Sequence, residues 1–192
     1  YSSIGELMVN IVFAEDDKEQ IEKLSNFILQ KIPSITTLLY TINTKGNDSI
    51  YDLEPIIYYG KGYIMEKLGE YQFKISPKSF FQTNTKQAEK LYRVTESFAQ
   101  LTGEETVYDL YCGTGSIGIF LSKQAKKIIG VDVIEDSIKD AKENAAHNSI
   151  QHAELIRAPD PNGAFELILS GKVDVLAGVR QHLVANAKKL PG

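Results

Sequence analysis

The sequence contains little of what several protein classes require. It has one cysteine, Cys112, no tryptophan and three histidines among 192 residues. A single cysteine excludes an internal disulfide framework and a cysteine-based metal cluster within this chain, and it is typical of a reducing cytoplasm, the location we expect. His147, His152 and His182 lack metal-ligand spacing, so we expect no metal site. Nothing in this sequence resembles a signal peptide, and no apolar run approaches the length needed to span a bilayer.

The charge is unevenly distributed along the chain. The net charge is −4, yet residues 61–93 carry seven lysines or arginines against three glutamates. A basic stretch on an acidic chain can bind phosphates, although a lysine-rich, solvated surface is an equally good interpretation. The sequence also begins at Tyr1 without a methionine, which we interpret as a piece of a longer chain.

The hydrophobic periodicity divides the chain into parts of different character. Residues 1–76 predict a small α+β subdomain, a β-α-β unit followed by a hairpin whose turns contain Gly60, Gly62 and Gly69. Residues 77–158 predict a helix with Ala88, Leu91, Thr95, Phe98 and Leu101 on one face, then strand, helix, strand, helix and strand. This alternation is typical of an α/β domain with a parallel, doubly wound sheet. Residues 159–192 form an atypical tail, either diverged or foreign to the rest.

The stretch "YDLYCGTGSIGIF" contains three glycines directly after a predicted strand. Gly113 and Gly115 allow a sharp turn and the close approach of a ligand, whereas Gly118 allows the helix to pack closely on the strand. Asp132 follows Gly113 by nineteen residues, at the end of the next strand, where a carboxylate can accept hydrogen bonds from both ribose hydroxyls. The pattern therefore predicts a nucleoside-containing ligand, although the glycines could serve only a tight turn.

NAD and S-adenosylmethionine are both compatible with this glycine spacing. Asp109, which lies before the glycines, favours S-adenosylmethionine, because a carboxylate attracts a sulfonium or an ammonium group and repels a pyrophosphate. The alternative is that Asp109 only orients the loop.

Three segments carry a resemblance to a known family. "FKISPKSFFQTNTKQAEKLY", "VYDLYCGTGSIGIFL" and "GVDVIEDSIKDAKENAAHN" resemble the bacterial RNA uracil-C5 methyltransferases of the RumA/TrmA type, and within them the 23S ribosomal RNA enzymes. The resemblance covers about residues 3–156. It implies a Rossmann-like class I S-adenosylmethionine-dependent methyltransferase domain that forms 5-methyluridine. Cofactor contacts are implied for Gln82, Tyr111, Ser116 and Asp132. The basic stretch, in turn, is where we expect an RNA-facing surface, at Lys74, Lys78 and Lys86.

The resemblance also shows what this chain lacks. Family members use a cysteine, in a Ser-Cys-Asn-Pro-like segment, to attack C6 of uracil, and a later base to remove the C5 proton. Neither segment is present, and Cys112 lies in the glycine loop, where we interpret it as a small apolar filler. We therefore expect no catalytic residue in this chain and no methylation of RNA by the chain alone.

Two other functions remain open from the sequence. The glycines and Asp132 are compatible with an NAD-dependent oxidoreductase. A non-catalytic module that binds RNA or a small ligand is the other possibility, since the expected catalytic segments are missing.

Overall fold

The computed structural model describes residues 1–50 and 52–158, together with the backbone of residues 175–177. The chain divides into two compact units, one of Tyr1–Lys67 and Lys74–Lys78, the other of Leu68–Phe73 and Ser79–Gly192. Except for residues 175–177, the predicted atypical tail lies outside the described residues. None of the helices in the described part of the chain is long and apolar enough to cross a membrane.

The first unit contains the predicted β-α-β arrangement. Strand β1 (Met8–Phe13) and strand β2 (Thr37–Ile42) are parallel, with Met8 opposite Thr37, and helix α1 (Lys18–Lys31) connects them. Asp17 caps the helix, because its side chain accepts a hydrogen bond from the backbone N–H of Gln20. The predicted β-α-β order is thereby confirmed.

The segment predicted as hairpin material forms three strands. Strand β3 (Ile56–Gly60) pairs antiparallel with β2 and completes a three-stranded sheet, β1-β2-β3. Strands β4 (Ile64–Leu68) and β5 (Tyr71–Ile75) form a separate two-stranded sheet. Gly69 lies between them with a φ of +61°, a conformation that glycine adopts without steric cost.

The second unit contains the predicted parallel sheet. Its elements are helix α2 (Thr85–Ala99), strand β6 (Thr106–Leu110), helix α3 (Ser116–Leu121), strand β7 (Lys127–Asp132), helix α4 (Glu135–His147), strand β8 (Ala153–Arg157) and strand β9 (Val175–Ala177). The strand order is β8-β7-β6-β9, and all three pairings are parallel. Strands β7 and β8 lie on one side of β6 and β9 lies on the other, so the strand order changes direction at β6. In such sheets ligands bind at this switch point, beside the loop that follows the strand.

The core of the second unit lies on the sheet. Val107 and Val131 are fully buried, and Leu110 and Ile128 are 2% exposed. On α4, Ile138, Ala141 and Ala145 are all buried and form the inward face of the helix.

The predicted face of α2 is only partly correct. Ala88 is buried as expected, but Phe98 is 83% exposed and Leu91 is 55% exposed. Tyr92 is 3% exposed and takes the inward position, with its ring packed edge-on against Phe120 at 5.6 Å. The Tyr92 side chain buries more apolar surface in this position than Leu91 would, and its hydroxyl is hydrogen-bonded. With Tyr92 facing inward, Leu91 and Phe98 face outward.

Candidate functional site

The loop between β6 and α3 is a sharp turn built from left-handed backbone conformations. Tyr111, Gly113 and Gly115 have φ values of +58°, +54° and +77°. For Tyr111, which carries a side chain, this conformation costs on the order of 1 kcal/mol or more. The loop is anchored to the neighbouring strand, because the N–H of Cys112 donates to the carbonyl oxygen of Val131 at 3.0 Å.

The three glycines of the loop have different surroundings. Among the described residues, a Cβ on Gly113 would meet only the carbonyl oxygen of Phe80, at 3.9 Å, so no described residue fills the space above Gly113. A Cβ on Gly115 would lie 3.2 Å from Ala141, and one on Gly118 would lie 2.8 Å from Ile128. Gly113 therefore borders open space, whereas Gly115 and Gly118 allow helices and strand to pack closely. The predicted packing role applies to Gly118 as expected and also to Gly115.

Asp132 lies at the end of β7 beside this open space. Its Oδ2 accepts a hydrogen bond from the N–H of Gly113 at 2.9 Å, and its Oδ1 accepts one from the N–H of Ile134 at 2.9 Å. The residue is 8% exposed. Each carboxylate oxygen has two lone pairs, so both can accept a further hydrogen bond from a bound hydroxyl.

Asp109 holds the start of helix α3. It is 2% exposed, and its Oδ2 accepts a hydrogen bond from the N–H of Gly118 at 2.8 Å. Because the capping residue Gly115 has no side chain, Asp109 satisfies a backbone donor that would otherwise be unpaired at the helix start. Burial raises the pKa of Asp109 to about 6, the Gly118 hydrogen bond opposes this, and the charge of Asp132 adds to it. The geometry shows the loop-orienting role; attraction of a cationic ligand stays a prediction.

Ser116, the first residue of α3, contacts a side chain from another helix. Its Oγ lies 2.8 Å from the hydroxyl of Tyr92 on α2. Tyr111, half-buried, packs against the core cluster that contains Tyr108 and Val131. Tyr111 thus lies on the loop and Ser116 directly after it, at the start of α3.

The segment "SFFQTN" lies next to the glycine loop. Phe80 is 73% exposed, and its carbonyl oxygen is the atom that borders the open space at Gly113. Phe81 is buried and packs on Phe73, with ring centroids 5.5 Å apart. Gln82 follows on the surface. One of the two phenylalanines therefore belongs to the core, and the chain bearing Gln82 passes beside the loop.

Two buried polar residues on α4, Asp140 and Asn144, contact the SFFQTN segment and the glycine loop, respectively. Neither was predicted from the sequence. Asp140 is 3% exposed and accepts a hydrogen bond from the hydroxyl of Ser79. Asn144 is fully buried, and its Nδ2 donates to the carbonyl oxygen of Thr114 at 3.1 Å. The signal was available in the sequence, since the two residues are four positions apart and follow the same helical period as Ala141 and Ala145.

Comparison with known proteins identifies the group to which this arrangement belongs. The family model described as tRNA (uracil-5-)-methyltransferase matches residues 54–166, more than half of the chain. The chain belongs to this family.

Named relatives agree with the family assignment. The chain is 48% identical to an "Uncharacterized RNA methyltransferase" of Porphyromonas gingivalis over 79% of this chain and 32% of that protein. It is 47% identical to another of the same name from Bacteroides thetaiotaomicron, over 79% of this chain and 34% of that protein. The chain thus spans about a third of the length of the curated relatives it matches.

Solved structures confirm the fold. Pyrococcus abyssi tRNA (uracil-54, C5)-methyltransferase in complex with S-adenosyl-L-homocysteine is 29% identical with a TM-score of 0.65, over 82% of this chain and 37% of that one. The tRNA m1G37 methyltransferase of M. jannaschii is 17% identical with a TM-score of 0.60, and the match covers 96% of this chain and 54% of that one. The predicted Rossmann-like class I methyltransferase fold is confirmed.

Cys112 of this family member is unsuited to nucleophilic attack. It is 7% exposed, and its Sγ lies 3.2 Å from the position of a Cβ on Gly130. Burial raises the pKa of the thiol, and the charges of Asp109 and Asp132 raise it further. A thiol held in its neutral form is a poor nucleophile, which agrees with the interpretation of Cys112 as a filler.

The three lysines predicted as RNA contacts from the basic stretch belong to different units. Lys74 and Lys78 lie in the first unit, where the Lys74 ammonium is 5.0 Å from the ring centroid of Tyr63 and Lys78 pairs with Glu54 at 2.5 Å. Lys86 is exposed on α2 in the second unit. Their common role in RNA binding stays a prediction.

Proposed function

We propose that this chain binds S-adenosylmethionine at the carboxyl edge of the β8-β7-β6-β9 sheet and is the cofactor-binding part of an enzyme that methylates C5 of a uridine in RNA. The observation that carries the proposal is the placement of Asp132. Its carboxylate is held by the N–H groups of Gly113 and Ile134, beside the open space at Gly113. This is the position from which an acid binds a ribose in sheets of this kind.

The residues around the loop fit the proposed cofactor. Asp132 has lone pairs left for the ribose hydroxyls, and Gly113 leaves room for the ligand next to the backbone. Tyr111 on the loop, Ser116 at the start of α3 and Gln82 beside the loop supply side chains for the remaining polar groups. The buried charge of Asp109 favours a positively charged ligand. When bound, S-adenosylmethionine supplies a methyl group activated by a positive sulfur.

RNA is the proposed substrate. Family membership supports it, and so does the likeness to a solved enzyme whose name specifies a uracil of tRNA. Within the family, the resemblance of the sequence favours 23S ribosomal RNA. Lys74, Lys78 and Lys86 are the proposed phosphate contacts, since each lies in the basic stretch, residues 61–93.

We do not assign the covalent chemistry to this chain. The one thiol, Cys112, is buried and kept neutral, and the mechanism inferred for the family needs an exposed thiolate that attacks C6. The chain alone is therefore expected to bind the cofactor without methylating RNA.

Calorimetry with S-adenosylhomocysteine and with NADH tests the proposal. Binding of S-adenosylhomocysteine with no heat from NADH supports it. Exclusive binding of NADH would overturn it in favour of the oxidoreductase. A parallel assay of methyl transfer from labelled S-adenosylmethionine to uridine-containing RNA tests the second part, and turnover by this chain would show that a catalytic residue has been overlooked.

A further inference from the structure

Tyr92 and Ser116 form a partly buried contact that connects helix α2 to the start of α3, directly after the glycine loop. The Tyr92 hydroxyl and the Ser116 Oγ are 2.8 Å apart, although the residues are 24 positions apart in the sequence. Tyr92 is 3% exposed and its ring packs edge-on against Phe120, so the phenol has little freedom to turn away. The contact is therefore a fixed support for Ser116.

The chemistry of the two hydroxyls indicates which one donates. A phenol is the stronger acid and the better donor, whereas an aliphatic hydroxyl is the better acceptor. Burial raises the pKa of Tyr92, the hydrogen bond to Ser116 opposes this, and the charge of Asp109 adds to it, so the phenol keeps its proton at neutral pH. When Tyr92 donates, the Ser116 oxygen is the acceptor and its own proton is available to a second acceptor.

The position of Ser116 indicates what that second acceptor is. With the ribose on Asp132 at the end of β7, one end of an adenosyl ligand points toward β8 and the other toward β6. Ile134, just after Asp132, is 52% exposed and offers an apolar surface to the base. Ser116 begins α3 directly after the loop that follows β6, so it lies on the β6 side of the proposed site, and with the base against Ile134 that side would take the amino-acid end. The ammonium group there can only donate, whereas the carboxylate can only accept.

We propose that Tyr92 is a positioning residue that aims the Ser116 hydroxyl at the carboxylate of the methionine portion of the ligand. This inference rests on the proposed function, because it requires S-adenosylmethionine in the site. It assigns to α2, which precedes the sheet, a part in distinguishing ligands that carry the amino-acid portion from those that lack it.

A comparison of two ligands tests the inference. S-adenosylhomocysteine carries the carboxylate, whereas 5′-methylthioadenosine has the same nucleoside without the amino-acid portion. Calorimetry should show that Tyr92→Phe and Ser116→Ala each weaken binding of S-adenosylhomocysteine by about three- to tenfold. Binding of 5′-methylthioadenosine should change by less than about twofold. The double variant should lose no more than Ser116→Ala alone, because both changes remove the same interaction.

Tyr71 provides a matched control. It is also buried and packs against Phe120, at 6.2 Å, but among the described residues its hydroxyl has no hydrogen-bond partner. Tyr71→Phe removes the same atom from the same aromatic cluster, so it should leave the affinity for both ligands unchanged. Thermal melts of all variants establish that each is folded under the conditions of the titration.

The outcomes separate the inference from the proposed function. If wild-type chain binds S-adenosylhomocysteine but Tyr92→Phe weakens both ligands equally, or neither, the positioning role is wrong and the cofactor assignment stands. Additive losses in the double variant would also overturn it. If wild-type chain binds neither ligand, the proposed function itself fails.

Discussion

The Asn144 side chain on α4 donates a hydrogen bond to the carbonyl oxygen of Thr114, in the middle of the glycine loop, at 3.1 Å. Asn144 is fully buried, so this carbonyl group is satisfied by protein instead of water. The contact ties the loop conformation to the helix that follows Asp132. The loop is therefore held on both sides, by α4 through Asn144 and by β7 through Asp132.

Removing this tether should lower both stability and ligand affinity. We expect Asn144→Ala to reduce the free energy of unfolding by about 1–3 kcal/mol, because a buried carbonyl group loses its partner. Binding of S-adenosylhomocysteine should weaken as well, since the loop is no longer held in place. Asn148→Ala is the control: its Nδ2 donates to backbone oxygens of Gln72 and Asn144, away from the loop. Equal effects of both variants on binding would contradict a specific role for Asn144.

Substitution of Asp132 should reduce ligand affinity through the ribose. We expect Asp132→Ala to weaken binding of S-adenosylhomocysteine by roughly tenfold or more, as two hydrogen bonds of about 1 kcal/mol each are lost. Calorimetry with the 2′-deoxy form of the ligand separates this contact from loop support. The loss should be smaller for the deoxy ligand, and an equal loss for both would mean that Asp132 acts only through Gly113.

The Gly113→Ala variant should still fold but should no longer bind the ligand. Gly113→Ala places a side chain on a residue with φ +54°, which costs about 1–2 kcal/mol, and directs it into the open space of the proposed site. We expect it to abolish measurable binding of S-adenosylhomocysteine. Gly103→Ala is the matched control, because Gly103 also has a positive φ, +97°, and no atom within 4 Å of the added Cβ. Similar binding by the two variants would show that the ligand does not lie against Gly113.

Asp109 should make stability depend on pH in a recognisable direction. Its pKa is about 6 in the folded chain against a reference value of 3.8, so between these values the folded chain binds more protons than the unfolded chain. The contribution of Asp109 to the free energy of unfolding therefore falls as pH rises from about 4 to 6. Above this range the buried Asp109 charge lowers the free energy of unfolding by up to about 3 kcal/mol relative to the protonated form.

Asp109→Asn isolates this contribution. The amide oxygen can still accept the Gly118 hydrogen bond, while the buried charge is removed. We expect the variant to gain stability relative to wild type as pH rises through 4 to 6, with the largest difference near pH 7. Urea unfolding at several pH values gives the free energy of unfolding of both proteins. The contributions of the other titrating groups cancel when one value is subtracted from the other. A difference that does not vary with pH would contradict the assignment.

The basic stretch should contribute to RNA affinity through phosphates. We expect Lys78→Glu combined with Lys86→Glu to weaken binding of single-stranded RNA and to flatten its dependence on salt concentration. Lys126→Glu with Lys127→Glu is a charge-matched control outside the stretch, at residues paired with Glu104 and Glu154. Fluorescence anisotropy at several salt concentrations gives the slopes. If the control flattens the slope as much, the effect comes from net charge alone.

Much of the local structure could be predicted because it depends on neighbouring residues. Asp17 before an amphipathic segment indicates a helix start, and Asn84 likewise caps α2 by accepting from the N–H of Gln87. The alternation of strands and helices after residue 105 predicts the parallel order that the sheet has. The loop glycines with Asp132 predict the position of the site, because strand ends in such sheets meet at one edge.

The order of strands and helices, the turn at Gly113 and the family could all be read from the residues, since each depends on motifs and spacings within short segments. Three further features are visible only in the folded chain: Tyr92 faces inward in place of Leu91, Asp109 binds the backbone of Gly118, and α4 supports the loop through Asn144. These facts depend on which distant segments meet across the sheet. Hydrophobic periodicity along the chain does not distinguish between neighbouring candidates for a buried position. In the folded chain, the buried side chain is the one that fills the available space and has its polar groups hydrogen-bonded.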